Sequence, residues 1–176
     1  MKLFVLIIVF LLPLTFIQGQ EAETTGFPKK YLGVYTGELT IYSNKGQQKI
    51  PMELHLTTTD SIDIYNYTLV YGEKDNRQER PYTLKTVNNK TGDYTLDENN
   101  GIVLDCKLVE NKMYFLFEVM DNLLTTFITF EKEHLLFEIV VTQTLQRKES
   151  GGQNDSIPKV YSYPISVVQK AILNKQ

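Results

Sequence analysis

Met113 to Thr144 reads MYFLFEVMDNLLTTFITFEKEHLLFEIVVTQT. Three apolar runs rich in Phe, Ile, Val and Thr are split by Met120-Asp121-Asn122 and by Glu131-Lys132-Glu133-His134. β-Branched and aromatic residues suit a pleated, half-buried surface, and interruptions this short join antiparallel neighbours, so the stretch predicts a β-meander. Both faces of its strands are apolar in places. Phe115, Phe117 and Val119 oppose Tyr114 and Leu116, and Leu124, Thr126, Ile128 and Phe130 oppose Leu123, Thr125, Phe127 and Thr129. Such a wall asks for a cover on its outer side.

The same grammar extends upstream. Tyr31–Ser43 alternates Tyr35, Gly37, Leu39 and Ile41 against Thr36, Glu38, Thr40 and Tyr42. Ile50–Thr58 sets Ile50, Met52, Leu54 and Leu56 against Glu53, His55 and Thr57, with Pro51 early enough to be tolerated. Ile62–Tyr71, Pro81–Val87, Asp93–Asp97 and Ile102–Val109 follow as strands. The turns between them are rich in Asn, Asp and Gly, notably Asn88–Gly92 and Asn99-Asn100-Gly101. Downstream, residues 146–157 form a polar, Gly-rich loop within the segment that follows the meander. Residues 164–174 change period: Ile165, Val168 and Ile172 fall on one helical stripe behind Pro164, which predicts a short C-terminal helix. That helix is the expected cover for the Met113–Thr144 wall.

Nine or so strands in series without crossover helices permit a sandwich or a barrel. Short sequential hairpins favour an up-and-down meander that closes to remove its edges. The expected fold is therefore all-β: an antiparallel meander closed into a barrel of about eight to ten strands, with a short C-terminal helix. The domain plan is a signal segment at 1–19, a loose leader at 20–28, the barrel at 29–145, the polar loop at 146–157 and the C-terminal segment at 158–176.

Phe27–Leu39, FPKKYLGVYTGEL, resembles the opening of the calycin superfamily, the lipocalins and fatty-acid-binding proteins. There a Gly-x-Trp begins the first strand at the barrel floor; here Gly33-Val34-Tyr35 stands in that place. The resemblance implies a basic residue after the last strand, packed on that aromatic ring, and a helix against the barrel. Arg147 and residues 164–174 are the expected occupants of those roles. It also implies a barrel that takes a small hydrophobic or amphipathic ligand.

The chain carries 11 Tyr and 9 Phe but no Trp. Tyr combines apolar area with a polar tip, which suits a pocket for an amphipathic molecule; it also simply favours sheets. Tyr35, Tyr65, Tyr67, Tyr71, Tyr82, Tyr94, Phe115, Phe117 and Phe127 are the candidate pocket lining. His55, on an outward face, reads as a solvated side chain, and His134 sits in a turn. Two His and one Cys are too sparse for a metal site, and no cofactor is expected. Cys106 shares a face with Ile102, Leu104 and Leu108 and reads as a small buried hydrophobe rather than a nucleophile. Glu118 and Glu138 could face either the interior, for acid–base work, or solvent. Asn66-Tyr67-Thr68, Asn89-Lys90-Thr91 and Asn154-Asp155-Ser156 match the N-glycosylation pattern, which matters only in a eukaryotic host.

Lys2 followed by the apolar run Leu3–Ile17 and the small Gly19 reads as a cleavable Sec-type signal; an uncleaved anchor helix is the alternative, disfavoured because the run is short for a bilayer span. No cysteine follows it for lipid attachment. The expected address is therefore secreted or periplasmic. Removal of residues 1–19 leaves 17 basic and 21 acidic residues, a net charge of −4 that disfavours nucleic acid and anionic membranes as partners. A single cysteine excludes an internal disulfide. Three functions fit: a ligand-binding barrel, an interaction protein with a filled barrel, or a barrel isomerase or cyclase. The first ranks highest, with no enzymatic activity expected and the protein partner left open.

Overall fold

The computed structural model describes residues 26–176, so the expected signal segment lies outside the described residues. Twelve strands follow in chain order: β1 (Gly33–Ser43), β2 (Gly46–Thr58), β3 (Ile64–Tyr71), β4 (Gln78–Asn88), β5 (Asp93–Asp97), β6 (Val103–Val109), β7 (Lys112–Val119), β8 (Asn122–Phe130), β9 (His134–Gln143), β10 (Lys148–Ser150), β11 (Val160–Ser162) and β12 (Ile165–Lys175). Ten of them close into one antiparallel barrel in the order β1-β12-β9-β8-β7-β6-β5-β4-β3-β2. β10 and β11 pair only with each other, as a small ribbon outside it. Among the described residues the only helical turns are short 3-10 segments, and no helix is long and apolar enough to cross a membrane.

The expected C-terminal helix is a strand. β12 pairs with β1 from Tyr35↔Lys175 to Ser43↔Val167, and with β9 from Asn174↔His134 to Ile165↔Thr142. Two open sheet edges flank that position, and their unpaired N–H and C=O groups outweigh a weak helical stripe in a segment of high β propensity. The supposed stripe lies on the outside: Ile165 is 62% exposed and Ile172 59%. Val167, Ala171 and Leu173 sit at the positions paired with the inward Val141, Phe137 and Leu135 instead. The Met113–Thr144 wall accordingly has no helix over it, and Leu116 on its outer face is 65% exposed.

Closure brings β1 and β12 very near each other at Gly37. A Cβ there would collide with the Ile172 carbonyl oxygen, so only glycine fits. Gly33 is held at φ +152, and a Cβ on it would lie 2.7 Å from Cε of Lys175. The Lys175 ammonium is 5.7 Å from the centre of the Tyr35 ring. Lys175, at the end of β12, is therefore the basic residue packed on the Gly33-Val34-Tyr35 aromatic. Arg147 does not take that role; it lies over Tyr161 in the ribbon, 4.4 Å from the ring centre. The true last strand ends at Lys175, 30 residues beyond the expected end of the barrel at residue 145.

The barrel has one filled end. Residues Gly26–Leu32 fold across it as a 3-10 turn, with Tyr31 N–H donating to the Pro28 carbonyl at 2.9 Å. Phe27, in the supposedly loose leader, is buried. Its ring stands edge-on to Tyr94 at 5.3 Å and to Phe130 at 5.2 Å, and Tyr31 lies 5.3 Å from Phe130. Tyr35, Leu56, Tyr65, Leu84, Leu108, Met113, Leu135 and Leu173 complete this core.

Candidate functional site

The opposite end is not filled. There β3 ends at Tyr71, β4 begins at Gln78, β7 ends at Val119 and β8 begins at Asn122. Between these strands lies a cavity of about 250 Å³. Leu69, Leu96, Leu104, Phe115, Phe117, Leu124, Ile128, Phe137 and Ile139 give it apolar walls. Tyr67, Tyr71 and Tyr82 add phenol groups, and Arg80 and Glu98 stand with them on the β3–β5 side. The volume sits just under the range usual for drug-sized ligands and leaves room for about eight methylene-sized units at roughly 30 Å³ each.

The nine residues singled out from sequence divide three ways. Tyr67, Tyr71, Tyr82, Phe115 and Phe117 line the cavity. Tyr35, Tyr65 and Tyr94 point inward too, but belong to the filled floor, where all three are buried. The Tyr35 hydroxyl donates to the Tyr31 carbonyl at 2.7 Å, and that of Tyr94 to Asn89 Oδ1 at 2.8 Å. Phe127 is outside the barrel. It lies across from Tyr114 on β7, the rings edge-on at 5.6 Å, with the Lys112 ammonium 5.0 Å from the Phe127 ring centre. Register decides this: Ile128 pairs with Met113, which is inward, so Phe127 must face out. Arg80, Glu98 and the apolar β8–β9 residues were missed. Arg80 and Glu98 occupy strand ends or turns, and nothing in their local pattern shows that they overhang a cavity.

Burial raises the phenol pKa across the interior. It pushes Tyr71 up to about 12, holds Tyr67 well above its ordinary value, and also raises Tyr82, on which a hydrogen bond from Arg80 acts in the opposite sense. The cavity phenols therefore stay neutral at physiological pH. The Arg80 guanidinium is 5.5 Å from the Tyr71 ring centre and forms no ion pair among the described residues. Glu98 on the same side carries the opposite charge, so the mouth has no net formal charge from this pair.

The other candidate groups lie elsewhere. Cys106 is buried, and burial lifts its thiol to about 12, which removes it as a nucleophile at ordinary pH. Glu138 points out and pairs with Lys170 at 3.3 Å; Glu118 is exposed. His55 accompanies Glu53 at 2.7 Å on the outer face of β2. Arg77 reaches the same carboxylate with contacts of 2.6 and 3.3 Å, and these hydrogen bonds hold the Glu53 pKa below the usual carboxylate value. They pin the charged 72–77 loop to the face on which Val70 is fully buried. Among the described residues no cluster of three or more His, Cys, Asp or Glu could hold a metal ion.

No family model and no curated protein matches the sequence. Solved structures do share the fold. The S-type phycobiliprotein lyase CPES from Guillardia theta superposes with a TM-score of 0.58 at 5% identity, over 84% of this chain and 89% of that one. A DUF3598-family protein of unknown function from Nostoc punctiforme does so with a TM-score of 0.60 at 8% identity, over 84% of this chain and 48% of that one. This chain thus spans about half the length of the second protein. At such identities the likeness is one of fold alone. It overturns the expectation that the chain is not an enzyme, because one of the barrels it resembles is named a lyase. The chain, a closed ten-stranded antiparallel barrel, shares its fold with these two proteins.

Proposed function

We propose that this barrel binds a small hydrophobic or amphipathic molecule through its open end. The observation that carries the reading is the contrast within one interior: aromatic side chains plug the floor, while Phe115, Phe117 and Tyr67 surround space toward the mouth. Apolar walls with a few polar groups at one end are the usual make-up of a small-molecule site. The molecule's apolar part lies along Leu104, Phe117 and Ile139, and its polar end faces the mouth, where the phenols, Arg80 and Glu98 stand on one side. Native mass spectrometry of the purified protein is expected to show a co-purified organic mass, released on unfolding. A protein that is always empty and takes up no octyl-chain compound sinks the proposal. The run Leu3–Ile17 supports a secreted or periplasmic address, which cell fractionation and N-terminal sequencing of the mature chain test.

The lyase among the solved neighbours favours a second reading, in which the barrel acts on the molecule it binds. Tyr71, Arg80, Tyr82 and Glu98 are then the polar groups within reach of a reacting end. Its signature is a co-purified compound that is altered on rebinding to the wild-type protein and returns unchanged from Arg80→Ala or Tyr82→Phe.

A further inference from the structure

Beside the apolar well, the rim of the open end carries a second, larger and shallower depression of about 710 Å³. It runs from the end of β1 across the start of β12 to the end of β9. The two spaces adjoin: Leu124 of the well pairs with Val141 of the depression, one strand over. At Ser166 the β12–β9 register slips between Ile165 and Val167. Such bulges gather at barrel rims, where they re-aim side chains. Here Thr142 Oγ1 donates to the Pro164 carbonyl at 2.7 Å and Ser166 Oγ to the Val141 carbonyl at 3.0 Å, which fixes the slipped segment as a rigid wall.

The chemistry of this rim space differs from the rest of the surface. None of its twelve lining residues is charged, in a chain that is 22% charged. A charged ligand would therefore find no opposite charge in it. Its polar groups are carboxamides and hydroxyls: Asn44, Asn122, Gln143 and Gln146, beside the half-exposed ring of Tyr42. Asn122 uses its amide nitrogen on the Met120 carbonyl at 2.9 Å. The side chains of Asn44, Gln143 and Gln146 form no hydrogen bond within the described residues. Carboxamides donate and accept at once, as vicinal hydroxyls do, and an aromatic ring offers a flat apolar face.

We infer that the rim depression is a subsite for a neutral, hydroxyl-rich head group of the glycosyl or polyol type, carried on the ligand whose apolar part fills the well. This rests on the barrel-ligand reading and adds the class of head group to it. Arg80 and Glu98 together leave the mouth without a net preference for an anionic or cationic head, and the uncharged rim then selects a neutral one.

The test compares three probes below their micelle concentrations by isothermal titration: n-octyl β-D-glucoside, 1-octanol and sodium octanoate. The glucoside is expected to bind roughly tenfold tighter than either of the others, about 1.4 kcal/mol, as suits a few neutral hydrogen bonds. The exposed double variant Gln143→Ala/Gln146→Ala is expected to lose that advantage while still binding 1-octanol as before, which also shows that it is folded. Equal binding of glucoside and octanol, a preference for octanoate, or a glucoside advantage that survives the double variant overturns the head-group inference alone. Failure of all three probes to bind overturns the barrel-ligand reading, and the inference with it.

Discussion

Tyrosine plays opposite parts at the two ends of this barrel. At the floor, Tyr35 and Tyr94 give their hydroxyls to protein acceptors, and their rings are locked among Phe27, Tyr31 and Phe130. Toward the mouth, Tyr67 and Tyr71 form no hydrogen bond within the described residues, and their rings border open space. One residue type thus closes one end and furnishes the other. The difference is made by the Gly26–Leu32 segment, which caps the floor. A hydrogen-bonded phenol in a packed end contributes stability, whereas one beside a cavity keeps its hydroxyl without a protein partner.

The sharpest way to break this contrast is to truncate one aromatic at each end. Phe130→Ala at the floor is expected to cost about 3–5 kcal/mol in urea unfolding, the usual range for a buried Phe. Phe117→Ala is expected to cost clearly less, because its ring already borders a cavity and makes fewer contacts. Equal losses would mean that the mouth is as well packed as the floor.

Next in size is the alkaline response. Tyr71 and Tyr94 are raised from 10.0 to about 12 by burial, one at each end. Above the unfolded value the unfolded chain releases these protons and the folded chain keeps them. The native state then binds more protons, and stability falls as pH rises. The stabilisation is complete below about pH 10 and is lost towards pH 12, at roughly 2–3 kcal/mol for each of the two groups. Circular dichroism and tyrosinate absorbance should change together in that window. Ionisation of these tyrosines near pH 10 in a still-folded barrel would show the interior to be wetter than described.

The smallest effect concerns the mouth alone. Leu124→Trp fills the well from its rim and is expected to weaken 1-octanol binding by roughly tenfold or more. Stability should change by less than about 1.5 kcal/mol, since the new ring enters existing space. Unchanged binding would place the ligand elsewhere.

Strand existence was legible because each strand brings its own evidence: alternation along Ile50–Thr58, turn residues at Asn99–Gly101, β-branched runs from Met113 to Thr144. That Tyr67 and Tyr71 face the same way was legible for the same reason, as they share one face of β3. Phe127 was not. Its strand is apolar on both faces, so a period of two separates the faces without saying which is inside, and the pairing of Ile128 with Met113 supplies that answer. The site's charged members, Arg80 and Glu98, were equally hidden, because a lone charge at a strand end looks the same over a cavity as over solvent.

Alternation and turn chemistry are local properties, and they determined the class of this protein by themselves: an antiparallel meander with tight hairpins and an aromatic interior. What closes the meander is not local. β12 lies between β1 and β9, so Leu173 must meet Gly37 from the far end of the chain. Eleven residues with an ambiguous period acquire strand geometry only when both edges offer hydrogen bonds to them. The same holds for the filled floor and the open mouth. Both are lined by Tyr, Phe and Leu, and only the three-dimensional path of residues 26–32 decides which end is plugged and which keeps a cavity.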